Sequence, residues 1–173
     1  MILASKHIKR SKGTMRRARL KRASTGILGA SRRKRRHKGE LTKAKGRVWE
    51  LCKQIIRKQY GNANGTWTCY TSGKPIILAK NVHTGHFIPS SLCSVELRYD
   101  LKNLRPQSYN DNINHSGNPH QFRRNLIANH GIAYVEELET RNEATKGRTY
   151  PLQWFLDKEI EYKNILKELQ ANN

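Results

Sequence analysis

Three short stretches decide the fold of this sequence: Gly85-His86-Phe87-Ile88-Pro89, Asp100-Leu101-Lys102-Asn103-Leu104-Arg105-Pro106-Gln107, and Asn112-Ile113-Asn114-His115-Ser116-Gly117-Asn118. The first ends a strand candidate at residues 82–87, and the second contains the return strand at residues 103–107. The third leads into a helix, because Asn118 is suited to an N-cap and Pro119 to the first helical position. The sequence therefore predicts two strands followed by a helix.

The polar residues of these stretches suit the hydrolysis of a phosphodiester bond. An imidazole such as that of His86 can deprotonate water near neutral pH, and a divalent cation can stabilise charge on the phosphoryl oxygens. The neutral amides of Asn103 and Asn112 can hold a loop without changing its protonation. A histidine followed by two asparagines is typical of the HNH nuclease motif. A structural interpretation stays open, in which the histidine packs on a strand and the asparagines belong to turns.

The rest of the chain reads mainly as helices. Order is expected to begin near Thr42, where apolar residues recur at helical spacing until Gly61 ends the pattern. The other expected elements are strands at residues 66–70 and 76–78 and helices at residues 121–130, 132–141 and from Pro151 onward. The predicted fold class is α+β, with a small ββα-metal (HNH) core embedded among helices.

The charge of the chain is concentrated near its beginning. The sequence has 34 Lys and Arg against 13 Asp and Glu, and residues 1–47 hold 18 of these basic residues with one acid, Glu40. Such a segment cannot bury apolar surface against its own repulsion, so a disordered basic arm is expected at residues 1–42. A nuclease domain is expected at residues 43–173, with its motif core at 66–131 and C-terminal helices at 132–171.

Nucleic acid is the expected partner of this arm. Each neutralised phosphate releases counterions, which gives an affinity that depends on salt and not on base sequence. Solvated counter-charge is the weaker interpretation of so large an excess. The arm residues expected to bind nucleic acid are Arg16, Arg17, Arg19, Lys21, Arg22, Arg32, Arg33, Lys34, Arg35 and Arg36.

Other partners and compartments are not favoured by the composition. No apolar stretch is long enough to span a bilayer, and the first residues turn basic at Lys6, so we expect neither a membrane partner nor a secretory signal. The three cysteines, Cys52, Cys69 and Cys93, are widely spaced and do not form the pattern of a disulfide framework. A reducing compartment fits better, and we expect the cytoplasm of a bacterial host cell.

The stretch from Cys69 to Gly131 resembles the phage lambda NinG/Rap group of recombination endonucleases, which belong to the HNH superfamily and act on branched DNA. The resemblance rests on Gly85-His86-Phe87, Leu97-Arg98-Tyr99-Asp100-Leu101-Lys102-Asn103, Gln107 and Asn112-Ile113-Asn114-His115-Ser116-Gly117-Asn118. It extends more loosely to the C-terminal helices. It implies a metal-dependent DNA endonuclease that cuts branched recombination or replication intermediates, such as junctions and flaps.

The resemblance also implies roles for individual residues. His86 would be the general base, Asn103 would brace the loop and orient that base, and Asn112 would bind one Mg²⁺ or Mn²⁺ ion. His115 could contact the phosphate or the metal, although a solvated side chain is the simpler interpretation. The candidate phosphate-binding side chains around the motif are Arg98, Arg105, Arg123 and Arg124. Each of these arginines could equally form a surface salt bridge.

Two departures from the family pattern concern metals. Family members carry two C-x-x-C pairs that form a structural zinc site, whereas this chain has Cys69-Tyr70-Thr71-Ser72 and Ser108-Tyr109-Asn110-Asp111. One sulfur ligand of four does not favour a structural zinc. Many HNH enzymes also place a metal ligand directly before the catalytic histidine, where this chain has Gly85. His83, Asp111 or a water must then supply that coordination.

A function of a different class stays open. The altered cysteine pairs and Gly85 also fit a non-catalytic basic DNA- or RNA-binding protein with a degenerate HNH fold. Cleavage that depends on a divalent ion and on His86 would separate the two interpretations. Symmetric cutting of junctions would favour a homodimer, and the apolar stripe of the last helix offers a surface for one.

Overall fold

The computed structural model of the chain describes residues 39–171. Residues 1–38 and 172–173 lie outside the described residues. The basic residues of the arm that were expected to bind nucleic acid, from Arg16 to Arg36, all fall in the first of these ranges. The arm and its role in binding therefore stay predictions from the sequence.

The described residues form helices and short antiparallel sheets. The helices are α1 (residues 39–59), α2 (Val95–Tyr99), α3 (Pro119–His130), α4 (Ile132–Thr145) and α5 (Leu152–Ala171). The strands are β1 (Trp67–Thr68), β2 (Pro75–Ile76), β3 (Val82–His86) and β4 (Leu104–Ser108). β1 pairs with β2, and β3 pairs with β4. The predicted α+β class is confirmed for this part of the chain.

The hairpin of β3 and β4 positions the candidate site. Its antiparallel register places His83 opposite Gln107 and His86 opposite Leu104. Since side chains alternate along a strand, His83 and His86 lie on opposite faces of the hairpin. After β4, a π-type turn at Asn110–Asn114 leads into α3. The chain thus follows the strand, strand, helix order predicted from the sequence.

The largest core cluster joins α1 to α5. The buried apolar residues of α1 include Val48, Cys52, Ile55 and Ile56, and those of α5 are Phe155 and Tyr162. The four residues of α1 form the apolar face expected from their helical spacing. Full burial of an aliphatic or aromatic side chain of this size contributes roughly 1.5–3 kcal/mol, so this face fixes α1 firmly.

A second core cluster holds α3 against α4. It contains Phe122 and Leu126 of α3, Val135 and Leu138 of α4, and Phe87 and Leu97. Phe87 directly follows the hairpin residue His86, and its ring centroid lies 5.9 Å from that of Phe122. The end of β3 and the helix that completes the ββα unit are therefore packed into one cluster.

Some local features differ from the sequence predictions. The described part of α1 already includes residues 39–41, before Thr42. α2 was not predicted, because a five-residue helix is too short to show periodicity; the Ser94 hydroxyl caps it by accepting from the Leu97 N–H at 3.3 Å. Asn118 precedes α3 as predicted, but its φ of 49° is left-handed and its side chain makes no capping bond.

The three cysteines are free thiols, and Cys52 and Cys69 are buried. This agrees with the absence of a disulfide pattern in the sequence. Within residues 39–171, no helix combines the length and apolar character needed to cross a membrane.

Candidate functional site

His86 lies at the end of β3, where it packs against Trp49 of α1. The two rings are stacked, with centroids 5.1 Å apart and planes inclined by 12°. The Nε2 atom of His86 lies 3.0 Å from the carbonyl oxygen of Arg98. Because a carbonyl can only accept a hydrogen bond, Nε2 carries the hydrogen. Nδ1 is then the ring nitrogen that can accept a proton.

The surroundings of His86 favour its neutral form. Burial lowers the pKa of His86 from 6.5 to about 4, because removal from water disfavours the charged imidazolium. The hydrogen bond to the Arg98 carbonyl acts in the opposite direction but is the smaller effect. At pH 7 the ring is therefore neutral, and its Nδ1 is able to take a proton from a water molecule.

Asn103 is fully buried and links the chain after His86 to α2. Its Oδ1 accepts from the Ile88 N–H at 2.9 Å. Its Nδ2 donates to the Leu97 carbonyl at 3.1 Å and to the Ile88 carbonyl at 3.3 Å. Leu97 precedes Arg98, whose carbonyl contacts the His86 ring. The Asn103 amide thus holds both sides of the His86 environment in place.

Asn112 lies in the π-type turn beside His83. Its Nδ2 is 3.3 Å from the Nδ1 of His83, and the His83 ring makes an edge contact with Tyr109. The amide oxygen of Asn112 makes no hydrogen bond to a described residue. The structure therefore brings together two of the three residues that the sequence proposed as metal ligands, on the side of the hairpin that carries His83.

The third candidate ligand, Asp111, points elsewhere. Its Oδ2 accepts hydrogen bonds from Ser72 Oγ at 2.7 Å, Ser108 Oγ at 2.8 Å and Cys69 Sγ at 3.1 Å. Its Oδ1 lies 3.6 Å from the Nδ1 of His115. Burial alone would raise the pKa of Asp111, but these hydrogen bonds outweigh it and lower the pKa to about 2. The carboxylate is ionised and engaged within the protein.

The four candidate arginines of the motif region have different environments. Arg98 and Arg124 are exposed. Arg123 forms a salt bridge with Glu139, with N···O distances of 2.9 and 3.2 Å. Arg105 is 3% exposed and donates to backbone carbonyls and to the Tyr134 hydroxyl. Arg105 therefore does not present its guanidinium at the surface, and its position does not suit a phosphate contact.

The chain matches the protein-family model described as Bacteriophage Lambda NinG protein over residues 3–172. The chain belongs to the NinG family. Membership makes it a phage protein related to recombination. Neither the curated proteins nor the solved structures contained a match to it.

In this NinG-family chain, the four positions at which the resemblance implied cysteines converge. Cys69 and Ser72 lie around the turn between β1 and β2, while Ser108 ends β4 and Asp111 follows it. In addition to the hydrogen bonds that these residues make to Asp111, the Ser108 N–H donates to Cys69 Sγ at 3.2 Å. Within residues 39–171, no group of three or more His, Cys, Asp or Glu side chains is arranged to hold a metal ion. A hydrogen-bond cluster centred on a carboxylate joins these segments.

Two site residues of this NinG-family chain were missed by the sequence reasoning. Gln107 is fully buried, and its Nε2 donates to the Gly117 carbonyl at 2.7 Å and to Thr71 Oγ1 at 3.2 Å. A buried glutamine in a strand pattern was a visible sign of such a role. Trp49 gave no comparable sign, since it belongs to a helix far from His86 in the sequence.

Proposed function

We propose that this NinG-family protein is a DNA endonuclease of the HNH (ββα-metal) class. It hydrolyses phosphodiester bonds with the help of one divalent metal ion, and its substrates are branched recombination or replication intermediates. Family membership supports the link to recombination. The nuclease activity, its metal dependence and the branched substrate are the proposal.

One observation carries this proposal. His86 ends the first strand of a β-hairpin followed by a helix, and its Nε2 is committed to the Arg98 carbonyl. This leaves a neutral Nδ1 as a proton acceptor, held by a ring stack and a backbone bond rather than by a flexible contact. The bracing amide of Asn103 donates to the Leu97 carbonyl of α2, the helix on which the Arg98 carbonyl lies.

His86 supplies the acid–base step in this mechanism. Its Nδ1 takes a proton from the water that attacks phosphorus, and the Arg98 carbonyl stabilises the imidazolium through the Nε2–H. The low pKa of His86 keeps the ring ready to accept a proton at neutral pH. Negative charge on a bound phosphate would raise that pKa and strengthen His86 as a base.

The residues near the hairpin offer a fitting set of donors for the metal. Asn112 has a free amide oxygen, His83 has an imidazole beside it, and both groups are ligands that Mn²⁺ accepts. Mg²⁺ keeps several waters and needs few protein oxygens, so a single amide oxygen with waters also suits it. These donors lie on the face of the hairpin opposite to that of His86, so the proposal requires the phosphate to reach both groups around the end of β3. An ion bound there would stabilise charge on the phosphoryl oxygens and on the departing 3′ oxygen.

Cleavage assays test this proposal. Labelled four-way junction, flap and plain duplex DNA would be incubated with Mg²⁺ or Mn²⁺, using the wild type, His86→Ala and His120→Ala. His120 is an exposed histidine at the start of α3 and serves as the matched control. We expect cleavage of branched DNA that is abolished by EDTA and by His86→Ala and kept in His120→Ala. Cleavage that His86→Ala retains in full would rule out the mechanism.

A second candidate function follows from Gly85, where many HNH enzymes have a metal ligand. In this interpretation the chain is a non-catalytic basic protein that binds DNA or RNA through a degenerate HNH fold. Tight binding without cutting, under either metal ion and on all three substrates, would favour it over the nuclease.

A further inference from the structure

A cavity lies beside His86, between α1 and the segment that leads into α2. It has a volume of about 450 Å³ and is lined by residues that include Lys45, Gly46, Trp49, His86, Ser90 and Arg98. Binding sites for small ligands commonly have volumes of roughly 300–1,000 Å³. The cavity is therefore large enough for a bound group rather than for one or two waters.

The charges around the cavity favour an anion. Lys45 and Arg98 line it, and the lining residues within the described part of the chain include no carboxylate. The Lys45 ammonium lies over the Phe155 ring, 5.4 Å from its centroid, and forms no ion pair with a described residue. By contrast, Arg47 on the same helix is neutralised by Glu159 at 2.8 Å. Two cations without a counter-charge among the described residues attract a phosphate group.

Gly46 has no structural reason to be a glycine. A glycine inside a helix costs about 1 kcal/mol relative to alanine. The backbone of Gly46 is helical, and a Cβ atom there would meet nothing within 4 Å. Neither packing nor backbone geometry explains the residue. Its position on the cavity does, because the missing side chain leaves room one helical turn before Trp49.

The aromatic wall of the cavity suits a nucleoside. Trp49 and His86 are stacked on each other and both line the cavity. Aromatic side chains hold bases of any sequence, since every base has a π-face. A base paired in a duplex must first be unstacked at a cost of a few kcal/mol, whereas an unpaired base at a junction or flap avoids most of that cost.

We propose that this cavity binds one nucleotide of an unpaired DNA strand, next to the bond that is cut. Lys45 and Arg98 hold its phosphate, Trp49 contacts its nucleoside, and Gly46 leaves the space that it fills. This rests on the proposed nuclease function and deepens it, because it gives α1, which lies outside the ββα unit, a direct part in selecting branched DNA.

Binding of a dinucleotide in the absence of metal tests this inference without cleavage. The full chain would be titrated with the dinucleotide pdTdT in EDTA, and the indole N–H signal of Trp49, assigned with Trp49→Phe, would be followed by NMR. We expect a saturable shift of that signal. Lys45→Glu should weaken the binding by about tenfold or more, as expected for loss of a charge-assisted contact, and Gly46→Glu should do the same because it fills the space and adds a negative charge.

Lys43→Glu is the matched control, because it makes the same charge reversal two residues away on the opposite side of α1. It should change the dissociation constant by no more than about twofold, because Lys43 does not line the cavity and its charge attracts the dinucleotide only non-specifically. Unchanged Trp67 and Trp154 signals in each free variant show that the fold is kept. A Trp49 signal that does not move, or equal weakening by Lys43→Glu, would overturn the inference.

The titration and the cleavage assay together separate this inference from the proposed function. A chain that cuts branched DNA but shows no response at Trp49 keeps the nuclease function and loses the nucleotide site. A chain that shows the Trp49 response but cuts no DNA keeps the nucleotide site and loses the nuclease function.

Discussion

The side-chain amide of Gln107 occupies the space that a Cβ atom would need on Gly85. The two residues lie on the paired strands β4 and β3, and Gly85 directly precedes His86. The Oε1 atom of Gln107 is buried and makes no hydrogen bond to a described residue. The absence of a metal ligand at position 85 therefore goes with the presence of Gln107, because any side chain at that position would compete with Gln107 for the same space.

Replacement of Gly85 by alanine should destabilise the fold. The added methyl group must displace the Gln107 amide and its bond to the Gly117 carbonyl. Overpacking of this kind costs about 1–3 kcal/mol. Urea unfolding followed by circular dichroism measures the change in the free energy of unfolding.

Gly46→Ala is the control for this substitution. The same methyl group on an exposed helical glycine meets no atom within 4 Å and should stabilise the protein by up to about 1 kcal/mol. The two substitutions are thus expected to have opposite signs. A neutral effect of Gly85→Ala would mean that Gln107 moves away at no cost.

Asn103→Asp should be strongly destabilising although it barely changes the shape of the side chain. The Nδ2 of Asn103 donates to the carbonyls of Leu97 and Ile88, and a carboxylate oxygen in its place would face two acceptors in a buried site. We expect a loss of about 2–4 kcal/mol at pH 7 in urea unfolding. Asn129→Asp, on an exposed residue, should cost far less. Equal effects of the two changes would contradict the bracing role.

The sequence predicted the hairpin and the ends of α3 because local chemistry determines them. The return strand at residues 103–107 differs by one residue from β4, and Pro119 and Gly131 bound α3 as expected. The Trp49–His86 stack could not be predicted, since it depends on how α1 packs, and no periodicity encodes that. In the sequence, Ser72 and Ser108 stand out only as positions that lack the family's cysteines. Their hydrogen bonds to Asp111 depend on the contact between the β1–β2 turn and the end of β4, which the sequence does not encode locally.

The stability of the protein should depend on pH through His86. Its folded pKa of about 4 lies below the ordinary value of 6.5, so the unfolded chain binds the proton more tightly. The contribution of the neutral, half-buried ring is therefore complete above pH 6.5 and is lost as the pH falls toward 4. His86→Phe should lose less stability than the wild type over this range in urea unfolding.

The pH dependence of cleavage should also be set by His86. The acid limb of kcat/KM reports the free enzyme, so it should lie clearly below pH 6.5. Trp49→Ala exposes the ring of His86 to water and should move its pKa, followed by NMR, back toward 6.5. A wild-type acid limb at pH 6.5 or above would exclude His86 as the base with the environment described above.

Asp111 should stabilise the protein in a different pH range. Its folded pKa of about 2 lies below the ordinary value of 3.8, so its contribution is present above pH 3.8 and is lost as the pH falls through 2. The shift corresponds to about 2 kcal/mol. Asp111→Asn should be less stable than the wild type by about this amount at pH 6, and the difference should shrink at pH 3. Asp157→Asn, on the exposed surface of α5, should show no such difference at either pH.

The convergence around Asp111 also predicts that a zinc site can be installed by three substitutions. Ser72, Ser108 and Cys69 place their side-chain heteroatoms 2.7, 2.8 and 3.1 Å from one oxygen of Asp111, so the four side chains converge on one point, as the ligands of a tetrahedral metal site do. The variant with Ser72→Cys, Ser108→Cys and Asp111→Cys would have four thiols at one point. It should bind one Co²⁺ with the absorption bands of tetrahedral thiolate coordination, release it to Zn²⁺, and unfold at a higher temperature with zinc than without it.

The same variant carrying Cys69→Ser retains three thiols and should bind Co²⁺ far more weakly. If both variants bind alike, the four side chains do not share one centre, and the carboxylate cluster does not occupy the place of a metal.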